Sequence, residues 1–135
     1  IDPNKAFSIY VDASDYAVGS CLVQSREGKE APVAFASCKL TPTQQRWATI
    51  EKEAYAALWS LNRFKHWIFG RTVTLHSDHN PITFLTEAVP KSSKLMRWAL
   101  AVQEFNVTFR YRAGSQNTVA DCLSRNVYSP GEDGN

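Results

Sequence analysis

Several features that define whole classes of protein are scarce or missing in this chain of 135 residues. Its three cysteines, Cys21, Cys38 and Cys122, are widely spaced without a Cys-x-x-Cys pair, so we expect reduced thiols rather than a zinc ribbon or a disulfide framework. No apolar run approaches about 18 residues, which argues against a membrane-spanning helix. Neither a signal peptide nor an internal repeat is visible. The chain begins at Ile1 rather than Met, which suggests a domain cut from a longer protein.

The composition is that of one globular domain. Hydrophobic residues make up 44% and aromatic residues 12% of the chain, which is enough for a core and argues against disorder. The net charge of +2 permits a polyanionic partner but does not require one. We expect residues 1–127 to form one domain and residues 128–135, which are rich in glycine and polar side chains, to be a disordered tail or linker.

Alternating apolar and polar residues predict five strands. In the first strand, Ile9 and Val11 point to one face, and Tyr10 and Asp12 to the other. Short turns join the first three strands, which predicts an antiparallel meander. The fourth strand follows a helix and is therefore expected to run parallel to the first, and the fifth strand is expected to run in the same direction. The predicted strands cover residues 7–14, 17–24, 33–37, 72–77 and 106–111.

Apolar residues at helical spacing predict a long helix that begins at Thr41-Pro42 and ends near Gly70. Ser92 or Ser93 can cap a second helix, and shorter helices are expected after Asn80-Pro81 and from Asn117 or Thr118. The sum is an α/β fold, in which a five-stranded mixed sheet is flanked by helices.

Several acidic residues lie at positions in the predicted strands and helices where a carboxylate calls for an explanation. Asp12 lies in mid-strand, Asp78 at the end of the fourth strand, and Asp121 at the start of a late helix. In the long helix, Glu51 and Glu53 lie about 80° to either side of the apolar stripe, so helix geometry favours neither. Clustered carboxylates raise each other's pKa, and bound Mg²⁺-like cations would explain such a cluster. Two such ions can drive an in-line phosphoryl displacement.

Five ordered motifs resemble those of the ribonuclease H domain of gypsy-type LTR retrotransposon polyproteins. Each motif is weak alone, but their order along residues 7–125 is specific. They are Val11-Asp12-Ala13-Ser14 with Gly19 and Leu22-Val23-Gln24; Ala36-Ser37-Cys38-Lys39-Leu40; Ile50-Glu51-Lys52-Glu53-Ala54; His76-Ser77-Asp78-His79-Asn80-Pro81-Ile82; and Tyr111-Arg112-Ala113-Gly114 followed by Asn117-Thr118-Val119-Ala120-Asp121-Cys122-Leu123-Ser124-Arg125.

The resemblance implies an activity and a set of ligands. Members of the family hydrolyse the RNA strand of RNA·DNA hybrids with two Mg²⁺ ions, or Mn²⁺ in their place. The resemblance selects Glu53 over Glu51 and implies that Asp12, Glu53, Asp78 and Asp121 are the metal ligands and catalytic residues. Asp12 would bridge both ions, Asp78 and Glu53 would complete one site, and Asp121 would hold the ion near the attacking water.

One position departs from the family pattern. Many relatives carry a histidine about ten residues before the last Asp, where this chain has Tyr111. A phenol is protonated at neutral pH and is a poor general base, so we expect cleavage to depend more on the metal ions. The candidates for contacts to the substrate's sugars and phosphates are Ser14, Gly19, Ser37, His79, Asn80 and Asn117.

The expected partners are an RNA·DNA hybrid and the polymerase or connection domains of the same polyprotein. No membrane and no small-molecule cofactor is expected. The expected location is intracellular, in cytoplasmic virus-like particles, with the nucleus as the alternative.

Two other functions compete with this one. The first is a non-catalytic module of the same fold, although such modules usually lose acidic ligands. The second is a DDE-type integrase core, whose Glu comes last rather than second. Individual residues also have plainer interpretations: Asp12 as a surface residue of an edge strand, Asp15 as a turn former and Asp78 as a helix cap. The basic stripe of Lys91, Lys94 and Arg97 is either a solvated helix face or a phosphate-binding stripe. A zinc site at His76 and His79 lacks a third soft ligand of suitable spacing.

Overall fold

The computed structural model describes residues 6–26, 28–77 and 92–111 of the chain. These residues form five strands and four helices, with the long helical region divided into three pieces. In chain order the elements are β1 (Phe7–Ala13), β2 (Ala17–Arg26), β3 (Lys29–Lys39), α1 (Pro42–Gln45), α2 (Thr49–Arg63), α3 (Lys65–Ile68), β4 (Thr72–Ser77), α4 (Ser93–Val102) and β5 (Asn106–Tyr111).

The strands form one sheet in the order β3-β2-β1-β4-β5, with β1 at its centre. β1 pairs antiparallel with β2, and β2 pairs antiparallel with β3. β4 runs parallel to both β1 and β5. The predicted mixed sheet, with an antiparallel meander and two later parallel strands, is confirmed. The central strand is thus the one that carries Asp12.

The two faces of β1 are buried in different ways. Ile9 and Val11 belong to the main core, which α2 covers with Ala57 and Leu61. On the opposite face Tyr10 joins a smaller cluster with Cys21 and Val23. The alternation predicted for this strand is therefore confirmed, and both faces of the central strand contact other residues.

The predicted helix from Pro42 to Gly70 is interrupted twice. Thr41 caps α1 in a capping box with Gln44. Ala48 then takes an extended conformation (φ −62°, ψ 153°), which starts α2 afresh. At this break the Trp47 ring meets the ring of Trp98 on α4, with 5.4 Å between the ring centroids. The helical period ran through the break, so the periodicity alone did not reveal it.

The region ends close to where the sequence predicts. α3 stops at Ile68, and Gly70 has φ +81°, a left-handed conformation that glycine adopts without steric cost. The second predicted helix is also confirmed, with Ser92 as its N-cap: the Ser92 hydroxyl accepts a hydrogen bond from the Leu95 N–H at 3.1 Å.

The third strand is longer than the predicted residues 33–37. β3 runs from Lys29 to Lys39, and its register against β2 shifts between Leu22 and Val23, opposite Pro32. Proline lacks an N–H, and a bulge on an edge strand is a place where it is tolerated. Gly19, which the sequence predicts to be either a bulge or a point of close approach for a neighbouring backbone or ligand, pairs regularly with Asp12 and Ser37, so it is not a bulge.

Among the described cysteines, Cys38 is a free thiol and Cys21 is disulfide-bonded, so the expectation of a reduced thiol is wrong for Cys21. Within residues 6–26, 28–77 and 92–111, no helix is long and apolar enough to cross a membrane. The short helix expected after Asn80-Pro81, the helix expected from Asn117 or Thr118, and the tail at residues 128–135 lie outside the described residues.

Candidate active site

Asp12 occupies the next-to-last position of the central strand, where it is exposed. It is paired with Gly19 on β2, and Gly19 is paired with Ser37 on β3. Three of the residues predicted for the site therefore share one row across the sheet. Because glycine stands beside Asp12, no side chain of β2 covers the carboxylate in this row.

The row of paired residues next to that of Asp12 extends across β4 and β5. Val11 is paired with Ser77, and Ser77 is paired with Tyr111. Ser77 is buried, whereas Tyr111 is 52% exposed at the end of β5. Asp12 and Asp78 each follow one of these partners in the sequence, so β1 and β4 are in a register that places the residues before the two acids side by side. Asp78 itself lies outside the described residues.

The turn after Asp12 is fixed by Ser14. Its hydroxyl accepts hydrogen bonds from the Tyr16 and Ala17 N–H groups, both at 3.1 Å. The Ser14 N–H also donates to the Ala17 carbonyl at 2.9 Å. Ser14, predicted as a substrate contact, is thus engaged in holding the β1–β2 turn.

A salt bridge joins this turn to α2. Lys52 Nζ lies 3.0 Å from Asp15 Oδ1, and the lysine side chain is only 9% exposed. Since Lys52 directly precedes Glu53, the bridge ties the helical turn that carries Glu53 to the turn that follows Asp12. The sequence suggested only a turn-forming role for Asp15; the buried position of its lysine partner could not be read from the spacing.

The two candidate glutamates of α2 have different surroundings. The Glu51 carboxylate accepts a hydrogen bond from the Ala48 N–H at 3.3 Å and lies 3.6 Å from Lys94 Nζ on α4. Glu51 therefore caps α2 and connects it to α4. Glu53 is 4% exposed on the side of α2 that packs on the sheet. The two glutamates therefore differ in their surroundings, and the choice of Glu53 as the acidic ligand stays a prediction from the family resemblance.

Cations and rings reinforce the contact between α2 and α4. Lys94 Nζ lies 4.1 Å from the centroid of the Trp47 ring, a cation–π distance. Trp47 also contacts Tyr55 edge to face, at 5.5 Å between ring centroids. Lys94, considered as part of a phosphate-binding stripe with Lys91 and Arg97, is thus engaged within the protein.

His76 lies in the interior of the sheet. Its ring stacks on Tyr10 at 4.5 Å between centroids, and it is 4% exposed. The Tyr10 hydroxyl in turn donates to the Glu30 carboxylate, at 2.8 and 2.7 Å from the two oxygens. His76 is thus packed into the smaller core of the sheet rather than presented at the surface.

The structure places two of the four predicted metal ligands. Asp12 and Glu53 lie on neighbouring elements, β1 and α2, and carboxylate oxygens are the donors that Mg²⁺ prefers. In residues 6–26, 28–77 and 92–111, no three Asp, Glu, His or Cys side chains form a group that could hold a metal ion. The predicted residues outside these ranges are Asp78, His79, Asn80, Asn117 and Asp121.

A sheet in the order β3-β2-β1-β4-β5, with an Asp on its central strand and helices on its face, defines the ribonuclease H-like class of fold. Solved structures share this fold. A foamy viral protease–reverse transcriptase in complex with double-stranded DNA matches with a TM-score of 0.68 and 19% identity, over 84% of this chain and 20% of that one. The N-terminal RNase H domain of a Mycobacterium tuberculosis protein matches with a TM-score of 0.63 and 15% identity, over 87% of this chain and 95% of that one.

Sequence comparison identifies the family. Residues 2–105 match the model of the RNase H-like domain found in reverse transcriptase, and the chain belongs to this family. It is 41% identical over 124 residues to the retrovirus-related Pol polyprotein from transposon 412 of Drosophila melanogaster, and 38% identical over 122 residues to that from transposon opus. The matches cover 92% and 90% of this chain but only 10% and 12% of those polyproteins. The predicted resemblance to gypsy-type retrotransposons is confirmed.

Proposed function

We propose that this chain hydrolyses the RNA strand of RNA·DNA hybrids endonucleolytically, as the ribonuclease H part of a retrotransposon reverse transcriptase. Asp12, Glu53, Asp78 and Asp121 would hold two Mg²⁺ ions, with Mn²⁺ as an alternative. The family and the fold support a ribonuclease H-like domain of a retrotransposon polyprotein. Beyond this class of domain, we propose the catalytic activity, the metal ions and the four metal ligands.

One observation carries the proposal: the register of the central strands. The pairing of Val11 with Ser77 aligns the ends of β1 and β4, and each pair member is followed by an aspartate in the sequence. The Lys52–Asp15 salt bridge holds the first turns of α2 at the same end of β1. This register and this salt bridge support the proposal that Asp12, Glu53 and Asp78 act together at one edge of the sheet.

Carboxylates at one edge suit the chemistry of phosphodiester hydrolysis. Bound divalent ions would supply an activated water and stabilise the leaving oxygen. The role of this chain is to supply the oxygen ligands from rigid elements, because a strand and a helix fix ligand positions better than loops do. Tyr111 is exposed at the end of β5, where it is paired with Ser77, and this position supports a substrate contact at the same edge.

Membership of the RNase H-like family supports an RNA·DNA hybrid as the proposed substrate. A hybrid presents 2′-hydroxyls in a wide, shallow minor groove, and contacts to sugars and phosphates read its shape rather than its sequence. Gly19 and Ser37, in the row of Asp12, are the described candidates for such contacts. We expect weak sequence preference and affinity that falls steeply with salt. The polymerase and connection domains of the polyprotein are the proposed protein partners.

The test is cleavage of an end-labelled RNA·DNA hybrid with Mg²⁺ and then Mn²⁺. Asp12→Asn and Asp78→Asn should each abolish cleavage, and Glu104→Gln, which changes an exposed carboxylate after α4, should not. Cleavage that survives both Asp variants would refute the site. A folded chain that cuts with neither metal would favour the non-catalytic module, and the same assay with the reverse transcriptase domains added would show whether they are required.

A further inference from the structure

The stretch between Glu53 and Asp78 has an uneven distribution of charge. It has no Asp or Glu, yet it holds Arg63, Lys65 and Arg71, together with His66. The whole chain is nearly balanced, with 15 basic and 13 acidic residues, so this absence of acids is local. A surface built from this stretch attracts anions.

The structure gathers Arg63, Lys65 and His66 around a groove where α2 ends and α3 begins. Phe64 and Ile68 are buried and anchor α3 to the core, which leaves the residues between and after them at the surface. The groove has a volume of about 530 Å³ and is lined by Asn62, Arg63, Lys65, His66 and Phe69. We call it the α3 groove. Its volume lies in the range of small-ligand sites, about 300–1,000 Å³.

Exposed aromatic rings lie among the cations. Phe69 is 57% exposed and Trp67 is 37% exposed, and neither ring belongs to the main core cluster. The Phe69 ring is held edge to face against Phe105, with 6.1 Å between centroids, and Lys65 Nζ lies 5.3 Å from its centroid. Phe69 is thus fixed in position while more than half of it remains open to solvent.

The cations of the groove are available to a ligand. Among the described residues, no carboxylate forms an ion pair with Arg63, Lys65 or His66. Lys65 contacts only a ring, and this contact leaves its ammonium able to pair with an anion. A phosphate would therefore meet cations that need not break a salt bridge first.

We propose that the α3 groove binds single-stranded nucleic acid, with backbone phosphates at Arg63 and Lys65 and a base stacked on Phe69. Cationic grooves with exposed aromatic rings bind single strands in this way, largely without regard to sequence. An acidic protein segment would use the cations but would leave the exposed ring unexplained. The rings therefore favour a nucleic acid over an acidic peptide.

The groove is separate from the candidate active site. Glu53 and Arg63 lie ten residues apart on α2, which corresponds to about 15 Å along the helix axis. A single strand that continues from a bound hybrid would span this distance in roughly four to five nucleotides, at about 3.4 Å for each. Binding in the groove does not depend on cleavage, so it can be tested without the proposed enzymatic activity.

The experiment measures fluorescence anisotropy of a labelled oligo(dT) of about twelve nucleotides with the chain, in EDTA so that metal-dependent binding does not contribute. A matched abasic oligonucleotide has the same phosphates but no bases. Phe69→Leu should weaken oligo(dT) binding about fivefold to 150-fold, which is the range for loss of one stacked base, and should leave abasic binding unchanged.

The charge variants test the second half of the proposal. Arg63→Gln with Lys65→Gln should weaken both oligonucleotides and reduce the salt dependence by about 0.7 per lost phosphate contact. Lys29→Gln with Arg46→Gln, which removes the same charge at two exposed positions elsewhere, should have little effect. Thermal melting of each variant shows whether it is folded.

Three results would overturn the proposal. One is equal binding of oligo(dT) by the parent and the groove variants. Another is the same affinity for the abasic strand as for oligo(dT), which would show attraction by charge alone. The third is binding of a glutamate-rich peptide but of neither oligonucleotide, which would assign the groove to an acidic protein partner. Loss of hybrid cleavage has no bearing on any of these outcomes.

Discussion

Glu51 and Glu53 provide a test in which two neighbouring carboxylates of one helix should fail in different ways. Glu51 caps α2 and faces Lys94, whereas Glu53 is buried on the side of α2 that packs on the sheet. We therefore expect Glu51→Ala to lower stability and retain metal-dependent activity. We expect Glu53→Gln to abolish activity and the response to metal.

The stability that Glu51→Ala should lose follows from the two contacts of the Glu51 carboxylate. Loss of the hydrogen bond to the Ala48 N–H costs about 1 kcal/mol. The pair with Lys94, whose side chain is 30% exposed, adds up to about 1 kcal/mol. For a domain of this size, about 1 kcal/mol corresponds to roughly 4 °C in Tm. Glu51→Ala should therefore lower Tm by about 4–8 °C.

The rise of Tm that Glu53→Gln should lose follows from the coupling between Mg²⁺ binding and folding. A ligand that binds only the folded state at ten times its Kd stabilises that state by about 1.4 kcal/mol. Saturating Mg²⁺ should thus raise the Tm of the parent chain and of Glu51→Ala by roughly 6 °C. It should not raise the Tm of Glu53→Gln, which has lost a charged ligand.

The assay is thermal unfolding followed by circular dichroism, in EDTA and in Mg²⁺, combined with hybrid cleavage at a temperature where every variant is folded. The roles assigned to the two glutamates are wrong if Glu51→Ala loses cleavage while Glu53→Gln keeps it. They are also wrong if Glu53→Gln retains the full rise of Tm with Mg²⁺. Equal effects of both variants would mean that α2 as a whole moves, and that the two roles are not separate.

Three further predictions follow from single contacts. Asp15→Asn removes the partner of Lys52 and should weaken Mg²⁺ binding severalfold, as measured by titration calorimetry, while Tm falls by less than about 4 °C because Asp15 is 75% exposed; unchanged Mg²⁺ affinity would contradict this positioning role. Burial raises the pKa of the Cys38 thiol, so at pH 8 its alkylation, followed by peptide mass spectrometry, should be slower in the native chain than in urea and should accelerate as pH rises; equal rates would contradict it. Ser92→Ala removes the cap on Leu95 and should cost about 1 kcal/mol in urea unfolding, whereas Ser93→Ala, one residue into the helix, should cost less.

The sheet could be predicted because each of its strands carries a local signal. Alternation identified β1, β4 and β5 within a residue or two, and the helix between the meander and β4 fixed the parallel direction. The extension of β3 could not be predicted in this way. The predicted strand began only at Val33, and the pairing of Pro32 with Val23 beside the register shift shows that a bulge lets the strand extend past the proline.

The breaks in the helical region were hidden for a related reason. The apolar period continues through Ala48 and Phe64, so the sequence predicts one helix where the structure has three. The break at Ala48 coincides with the contact between Trp47 and Trp98, residues of two elements far apart in the chain. A period describes which face is buried, but it carries no information about such a contact.

The choice between Glu51 and Glu53 shows the same limit at the candidate site. Helix geometry placed both at similar angles from the apolar stripe, and no count of spacing could separate them. They differ in their contact with Lys94, which lies on α4 and forms an ion pair with the Glu51 carboxylate. Glu51 thus has a capping role and a partner on α4, and Glu53 is the acid that the family resemblance assigns to a site at the end of β1. Lys94 on α4 is thus the residue that sets Glu51 apart from Glu53. Lys94→Met should therefore lower the stability of the chain, as Glu51→Ala does, while hybrid cleavage persists.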